Sequence, residues 1–390
     1  MQFPLGLMMV MVSTSIIAAD EDGFISLFNG RDLSGWVNVN CAPETWSVKD
    51  GMIHCTGLPT GALRTIRQYE NFILELEWRH FRSGGNSGVF IWSSPIAAPG
   101  VPFLRAIEVQ VLDHGFNVPG KNEWYTTHGD VFPIHGSTMK PFGRHNGMRS
   151  FPSEERSKGT PDWNHYRIVC SNGVIRLHVN SKEVSGGEEC NYRKGYVGLE
   201  SEGAPIDFRN VRIKELPSSG TATELSAPMD QGWHPLFTGL DLRGWKTNSA
   251  TASRWKVEGE RLILQRGDPS PEAMLWTQTD FSEAEFIVDC RRPKASAGQA
   301  DTVPSALVAV NQAVTLQLKL EGGAPGEYQR FFISLKGHEV TLRTGGQETR
   351  RLTFESDVPA RLALGLADNG GPAEYMNFYV RENDHSERRQ

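Results

Sequence analysis

The sequence predicts an all-β protein made of two tandem sandwiches of antiparallel strands. Many short segments alternate apolar and polar residues and end at Gly, Asn or Pro turns, which is the pattern of half-buried strands. No long segment keeps a helical period. The chain of 390 residues is also longer than one hydrophobic core usually supports.

An internal repeat divides the chain. The segment FNGRDLSGW at 28–36 recurs as FTGLDLRGW at 237–245, an offset of 209 residues. Near the end of each half the offset falls to 167 residues, because Gly198-Leu199 matches Gly365-Leu366 and Asn210 matches Asn377. Two homologous domains follow.

The repeat sets the predicted domain limits. We expect the first sandwich at residues 22–216 and the second, degenerate one at residues 232–382. Residues 217–231 are small, polar and aperiodic, which is typical of a linker.

The amino terminus predicts export. Residues 1–19 are apolar and end in small residues before Asp20, so we expect a signal peptide cleaved after Ala19 and a secreted or periplasmic protein. A membrane anchor is the alternative, but the segment is short and contains Ser13, Thr14 and Ser15. After cleavage no membrane segment is expected. The net charge is −6 without a basic block, which argues against nucleic acid as a partner.

Five cysteines bear on the redox state. In an exported chain Cys41 could pair with Cys55, and Cys170 with Cys190, although spacing does not fix connectivity. None has CxxC spacing, so a cysteine-based zinc site is not expected. Cys290 lies in an apolar run and is expected to be a small buried hydrophobe.

The segment AIEVQVLD at 106–113 is the strongest candidate for a functional strand. Side chains alternate between the faces of a strand, so Ile107, Val109 and Val111 would face the core. Glu108 and Gln110 would project together from the other face. Two interpretations remain on pattern alone, a ligand-facing pair or a solvated outer face.

Comparison with the second half favours the ligand-facing interpretation. The second domain is about 40 residues shorter between this strand and the Asn172-Gly173 hairpin. The extra region, 114–161, predicts a long functional loop that holds four histidines. In the aligned segment VTLQL at 314–318, Gln317 matches Gln110 but Thr315 replaces Glu108. A purely structural carboxylate would be expected in both copies.

Other polar residues extend the candidate site. Asn86, Phe90 and Trp92 share one face of the strand in GGNSGVFIW, and an amide with an exposed aromatic ring suits a sugar. Packing of Trp92 beneath the loop is the equal alternative. Glu77 and Arg79 share an outer face and recur as Asp289 and Arg291, which favours a structural ion pair over a substrate contact.

The motifs FNGRDLSGW, GGNSGVFIW, EVQVLD, DWNHYRI and FRNVRI together resemble the 3-keto-disaccharide hydrolase family over nearly all of residues 23–216. The second domain resembles it at its beginning and end. One motif departs from the family, which often has His-Gly-Ala-Leu-Tyr where this chain has His128-Gly129-Asp130-Val131-Phe132.

The resemblance implies a concanavalin A-like jelly roll in each half and hydrolysis of a glycosidic bond in a 3-keto sugar. A base would remove the C2 proton, the C1 substituent would leave, and water would add back. On this reading Glu108 or His128 is the base or acid, and Gln110 and Asn86 orient the substrate. Sandwiches of this type often bind calcium, but no Asp-rich loop stands out, so we assign no metal.

Two alternatives use the same strand. An ordinary glycosidase would pair Glu108 with Asp113, and because a spacing of five puts them on opposite faces, this needs a β-bulge. A carbohydrate-binding or adhesion protein would have no catalytic pair. A tandem binder would be expected to keep both sites, which the second domain does not.

Overall fold

The computed structural model describes residues 20–116, 128–293, 303–310, 314–321, 324–355 and 361–382. Strands dominate this part of the chain, and the all-β fold class is confirmed. The α-helix Ser249–Arg254 has a capping box in which the Asn248 side chain accepts the amide of Thr251. No helix in the described ranges is long and apolar enough to cross a membrane. The expected signal peptide, residues 1–19, lies outside them.

The strands of the first domain are β1 (Ile25–Ser26), β2 (Trp36–Val39), β3 (Trp46–Lys49), β4 (Met52–Cys55), β5 (Gly61–Thr65), β6 (Phe72–His80), β7 (Asn86–Ser93), β8 (Ala106–Leu112), β9 (Val131–Ile134), β10 (Thr138–Pro141), β11 (Asn164–Ser171), β12 (Val174–Val179), β13 (Lys182–Asn191), β14 (Tyr196–Ser201) and β15 (Ile206–Glu215).

Two antiparallel sheets form the first sandwich. In the described residues the larger sheet has the order β10-β13-β12-β11-β6-β15-β4-β3, with β1 beside β15, and the smaller has the order β2-β5-β14-β7-β8-β9. The core lies between them, where Leu74 and Leu76 of β6 meet Val109 and Val111 of β8. Alternation therefore leaves the even-numbered residues of β8 on the outer face of the smaller sheet.

The strands of the second domain are β16 (His234–Pro235), β17 (Trp245–Lys246), β18 (Trp255–Glu258), β19 (Arg261–Leu264), β20 (Leu275–Thr277), β21 (Ala284–Arg291), β22 (Ser305–Val310), β23 (Val314–Lys319), β24 (Gln329–Lys336), β25 (Glu339–Thr344), β26 (Gln347–Thr353), β27 (Leu362–Leu366) and β28 (Ala373–Glu382).

The second sandwich repeats the first with fewer strands. Its described sheets have the orders β18-β19-β28-β21-β24-β25-β26, with β16 beside β28, and β17-β20-β27-β22-β23. These match the first domain strand for strand, without counterparts of β9 and β10. Both of those strands lie in residues 114–161, which the sequence predicted to be a loop without secondary structure. That prediction was wrong, because β9 pairs with β8 and β10 pairs with β13.

The second domain packs against half of the outer face of the smaller sheet of the first domain. Phe90, Leu104 and Ala106 of the first domain share one apolar cluster with Ile287 and Tyr379 of the second. Phe90 is fully buried, so the expectation of an exposed aromatic ring there was wrong. The other half of this face stays open to a cavity.

All five cysteines are buried and free, which contradicts the two disulfides considered from the sequence. Burial raises the pKa of the Cys55 thiol to about 11 and that of Cys190 to about 12. Cys290 packs in the core of the second domain as expected. The thiols are therefore small core residues that react slowly.

We expect five thiols to react with Ellman's reagent after denaturation and none to react rapidly in the folded protein, because burial keeps them protonated and out of reach. The melting temperature should be the same with and without a reducing agent. Fewer than five titratable thiols in denaturant, or destabilisation by the reductant, would contradict this assignment.

Candidate functional site

A cavity of about 270 Å³ opens on the uncovered half of the smaller sheet of the first domain. Its floor consists of side chains from β7, β8, β9 and β14, and its walls come from the connections between them. The lining residues are Asn86, Phe103, Glu108, Gln110, Leu112, Phe116, Phe132, Ile134, His135, Arg149, Glu200 and Glu202.

Two buried carboxyl groups face each other across a glycine on the cavity floor. Glu108 of β8 pairs across the ladder with Phe90, and Glu200 of β14 lies beside Gly88 of β7. A Cβ placed on Gly88 would lie 2.8 Å from Glu200 Oε2 and 3.0 Å from Glu108 Oε1. Glycine at this position therefore provides the space into which both carboxyl groups point.

Burial shifts the acid strength of these groups. Loss of solvation, with the charge of Glu202 second, raises the pKa of Glu108 to about 8. Burial raises the pKa of Glu200 well above its ordinary value, and Glu202 and Glu108 add to that effect. Burial also raises the pKa of Glu202 to about 7. The three neighbouring carboxyl groups therefore do not ionise readily together, and at least one of them keeps its proton at neutral pH.

Glu200 has an oxygen that the protein does not satisfy. The residue is 1% exposed, and within the described chain its Oε2 has no hydrogen-bond partner. A buried polar atom without a partner costs free energy unless a ligand or water meets it. Its position at the cavity floor makes it a contact point for a bound polar molecule.

The Arg149 side chain brings a positive charge to the cavity. The Arg149 guanidinium donates to Asp130 Oδ2 over 2.9 Å and to Gln110 Oε1 over 3.3 Å. Its central carbon lies 3.3 Å from the centroid of the Phe132 ring. The buried Asp130 thus fixes the arginine, and the guanidinium provides the positive charge that faces the carboxyl groups.

The predicted polar residues of β7 and β8 meet in this cavity. Gln110 Nε2 donates to Asn86 Oδ1 over 3.0 Å and to the carbonyl of Ser87 over 3.1 Å. Glu108, Gln110 and Asn86 all line the cavity. The amide orientation of Gln110 is thereby fixed on both sides.

His128 does not line the cavity. Its Nε2 accepts the backbone amide of Arg156 over 3.1 Å, and its ring lies 5.7 Å from that of His114. Burial, together with His114, lowers the pKa of His128 to about 4. The structure therefore separates it from Glu108, with which the sequence grouped it.

His114, His128 and Glu155 place one ligand atom each within 4.8 Å of one another. Two imidazoles and a carboxylate suit a transition metal better than calcium. The Nε2 lone pair of His128 is already used by the Arg156 amide. We assign no metal here.

Asp113 has a structural role in the described chain. Its carboxylate accepts the amides of Gly84, Gly115 and Thr160 at 2.8, 3.0 and 2.8 Å. Burial would raise its pKa, but these bonds outweigh it and lower the pKa. Asp113 does not line the cavity, so it is not paired there with Glu108.

Trp92 lies in the core, 1% exposed, and its indole donates to the carbonyl of Glu70 over 2.8 Å. The sequence placed it on the same face as Asn86, which was wrong. Trp92 has a φ of +53°, and the pairing of β7 with β14 shifts register beside it. This bulge turns the side chain to the other face. The side chain packs inside the sandwich, which is neither the ligand-facing position nor the packing beneath the loop that the sequence offered.

Glu77 and Arg79 lie on the outer face of the larger sheet, away from the cavity. They do not pair with each other as the sequence suggested. Arg209 binds Glu77 at 2.5 Å, and Arg79 binds Asp207 at 3.1 Å. The corresponding Asp289 in the second domain pairs with Arg330. These are cross-strand ion pairs rather than substrate contacts.

The sequence comparison missed Glu200 and Glu202. Aligned through Gly198 and Gly365, the second domain has Ala367 and Asn369 at these positions. Glu108 was singled out because the second domain lacks its carboxylate. The same criterion would have selected Glu200 and Glu202. The comparison could not point to Arg149 or Phe103, because they lie on connections that have no clear counterpart in the sequence of the second domain.

The sequence alignment of β8 with its counterpart in the second domain, β23, was also displaced by two residues. Gly198 pairs with Phe90, which pairs with Glu108. In the second domain Gly365 pairs with residue 307, which pairs with Gln317. The counterpart of Glu108 is thus Gln317 rather than Thr315. The copy still lacks the carboxylate.

Comparison with known proteins agrees with the sequence motifs. Residues 23–214 match the profile of the 3-keto-alpha-glucoside-1,2-lyase-like domain, which confirms the resemblance for the first domain. A 3-keto-disaccharide hydrolase of Bacteroides thetaiotaomicron is 23% identical in an alignment of 256 positions that covers 51% of this chain and 81% of that protein.

The matches to solved structures cover about half of the chain. A Parabacteroides distasonis protein named as a candidate glycosyl hydrolase is 20% identical, with a TM-score of 0.41, and the match covers 50% of this chain and 95% of that one. A carbohydrate-binding module of Bacillus subtilis is 14% identical, with a TM-score of 0.33 and coverage of 46% and 96%.

The raised pKa of Glu108 predicts a pH-dependent penalty to stability. Folding raises the pKa of Glu108 from 4.5 to about 8. Protonated Glu108 therefore makes its full contribution to the free energy of unfolding below pH 4.5. That contribution is lost as the pH rises through 8, by at most about 1.4 kcal/mol per pH unit. We therefore expect Glu108→Gln to gain in melting temperature relative to wild type across this range. Thermal unfolding at each pH measures it.

Glu215→Gln, at an exposed carboxylate on β15, is the control for the loss of one carboxylate. If the melting temperature of Glu108→Gln changes with pH in parallel with that of wild type, the pKa of Glu108 lies at its ordinary value and the predicted shift is wrong.

Proposed function

We propose that this chain, whose first domain is a 3-keto-alpha-glucoside-1,2-lyase-like domain, is an exported carbohydrate-active enzyme that cleaves the glycosidic bond of 3-keto-disaccharides or 3-keto-glycosides. The named Bacteroides relative suggests the substrate class. The observation that carries the proposal is the pair Glu108 and Glu200, buried, protonation-shifted and directed at one cavity.

The chemistry requires one proton acceptor and one proton donor. A carbonyl at C3 makes the C2 proton of the sugar acidic. Two neighbouring buried carboxyl groups cannot easily ionise together, so the pair can hold one proton between them. One carboxylate then takes the C2 proton while the other carboxylic acid gives its proton to the glycosidic oxygen.

In the first step the C2–H bond breaks, its electrons form a C1–C2 double bond, and the C1–O bond breaks with its electrons on the departing oxygen. Water then adds its hydroxyl at C1 and gives its other proton to the carboxylate that had protonated the departing oxygen, while C2 regains a proton from the carboxyl that removed it. The sum is hydrolysis, without an oxocarbenium ion. Negative charge develops on the C3 oxygen during proton removal, and Arg149 supplies the opposite charge at the cavity floor.

The polar residues of the floor would hold the sugar. Asn86 and Gln110 form a fixed amide pair at the cavity, and such groups bond hydroxyls. The Glu200 Oε2 atom provides an acceptor with no protein partner in the described chain. Export is proposed from residues 1–19 alone.

We expect the purified chain of residues 20–390 to release sugar from a 3-keto-disaccharide and not from the unoxidised disaccharide, because the C2 proton is acidic only beside the ketone. Chromatography of the products measures both. Release from the two sugars alike would indicate an ordinary glycosidase. Saturable binding without release would place the protein among the carbohydrate-binding modules.

We expect Glu108→Gln and Glu200→Gln each to lower kcat by about 10²-fold or more while KM changes little, because each amide keeps the shape but cannot exchange the proton. Steady-state kinetics on the 3-keto substrate measures this. Glu215→Gln, an exposed carboxylate on β15, should behave as wild type. Full turnover in either cavity variant would remove that residue from the mechanism.

A further inference from the structure

Four side chains of the second domain, three buried and one partly buried, bind one hairpin of the first domain. The connection from β7 to β8, residues 94–105, forms a hairpin closed by hydrogen bonds between Ser94 and Arg105 and between Ala98 and Phe103. The tip of this hairpin lies against the outer face of β21, β24 and β28. From the sequence alone, the second domain had no predicted role at the site.

The contacts are made by side chains of the second domain to the backbone of the hairpin. Tyr379 Oη accepts the amide of Ala97 over 3.1 Å, and Asp289 Oδ2 accepts the amide of Gly100 over 2.9 Å. Arg330 donates to the carbonyl of Ala97 over 2.9 Å.

Asn377 completes this set, donating to the carbonyls of Ala98 at 3.1 Å and Val101 at 2.9 Å. Backbone contacts of this kind fix the course of the hairpin whatever its sequence.

Three of the four side chains also support one another. Asp289 pairs with Arg330 at 2.7 and 2.8 Å and accepts from Asn377 at 2.7 Å. Asp289 is fully buried. A buried ionic network of this kind is retained for geometry rather than for net stability. Its geometry here serves the hairpin of the other domain.

The hairpin leads directly to the wall of the cavity. Asn377 holds the carbonyl of Ala98, whose own amide donates to the carbonyl of Phe103 over 2.8 Å. The Phe103 ring stacks on His135 with a centroid distance of 5.5 Å and an interplanar angle of 4°. Both residues line the cavity.

The wall stands at the end of the cavity nearer the second domain. Ala106 of β8 lies beneath the second domain and pairs with Ile134, the neighbour of His135. Leu112, at the other end of β8, lines the opposite side of the cavity. The Phe103–His135 stack therefore separates the carboxyl pair from the covered half of the sheet.

We propose that the second domain is a positioning element for the site of the first: through Asp289, Arg330, Asn377 and Tyr379 it holds the 94–105 hairpin so that Phe103 closes one end of the cavity and limits the ligand to a short saccharide. The limit on ligand size rests on the proposed function, whereas the positioning of the hairpin does not.

The test replaces Asn377 by glycine. Asn377 has a φ of +52°, and its counterpart in the first domain, Asn210, has a φ of +51°. Glycine tolerates this conformation in both, so Asn377→Gly removes the side-chain bonds with little backbone strain. Asn210 is exposed on the outer face of the first domain, and Asn210→Gly is the matched control.

Hydrogen exchange of the amides between residues 97 and 103 is the first readout. We expect Asn377→Gly to exchange these amides roughly fivefold faster or more, and Asn210→Gly to match wild type. Tyr379→Phe keeps the packing and should accelerate the Ala97 amide alone, which separates local release from global unfolding. Unchanged exchange in both second-domain variants would overturn the proposal.

Kinetics is the second readout. On a 3-keto-disaccharide we expect Asn377→Gly to raise KM several-fold with kcat within about twofold, and to reduce the preference for the disaccharide over a longer 3-keto-oligosaccharide. An unchanged preference with faster exchange would overturn the size limit. If wild type turns over neither sugar, the proposed function fails, and the exchange measurement still decides whether the second domain positions the hairpin.

Discussion

The structure depends on one constraint. The smaller sheet of the first domain has to bury carboxyl groups on the same face that contacts the second domain. A single sheet face has to be apolar where the second domain covers it and polar where a ligand enters. Phe90 and Ala106 meet the first demand, and Glu108 and Gln110, farther along the same strands, meet the second. Burial of the acids in the open half raises their pKa.

Most of the architecture follows from the sequence, because it depends on patterns that repeat. Alternation gave the strands, and the internal repeat gave two related sandwiches of the correct class. The errors fall where a local feature breaks the period. One residue with positive φ turned Trp92 into the core, and β9 and β10 are strands of four residues each that carry too little pattern to distinguish from a loop.

The site was partly predictable for the same reason. Glu108, Gln110 and Asn86 lie on regular strands, so alternation placed them on one face. Glu200 was available from the same comparison with the copy, since Ala367 replaces it. Arg149 and Phe103 reach the cavity from connections whose course is fixed by tertiary contacts, with Asp130 in one case and the second domain in the other. Sequence spacing contains no information on such contacts.

The two copies of the sandwich differ most on the face through which the second one docks. Ile287 and Tyr379 pack against the first domain, whereas the first domain has Glu75 and Arg212 at the equivalent positions, joined by an ion pair at 2.7 Å. A series of identical sandwiches could stack in this manner without limit, as solenoid repeats do, unless one end is given a polar surface. The Glu75–Arg212 pair places charge on this face, where Glu75 is buried and Arg212 is partly exposed. A further sandwich that docked here in the same manner would have to remove Arg212 from solvent, which would cost its solvation.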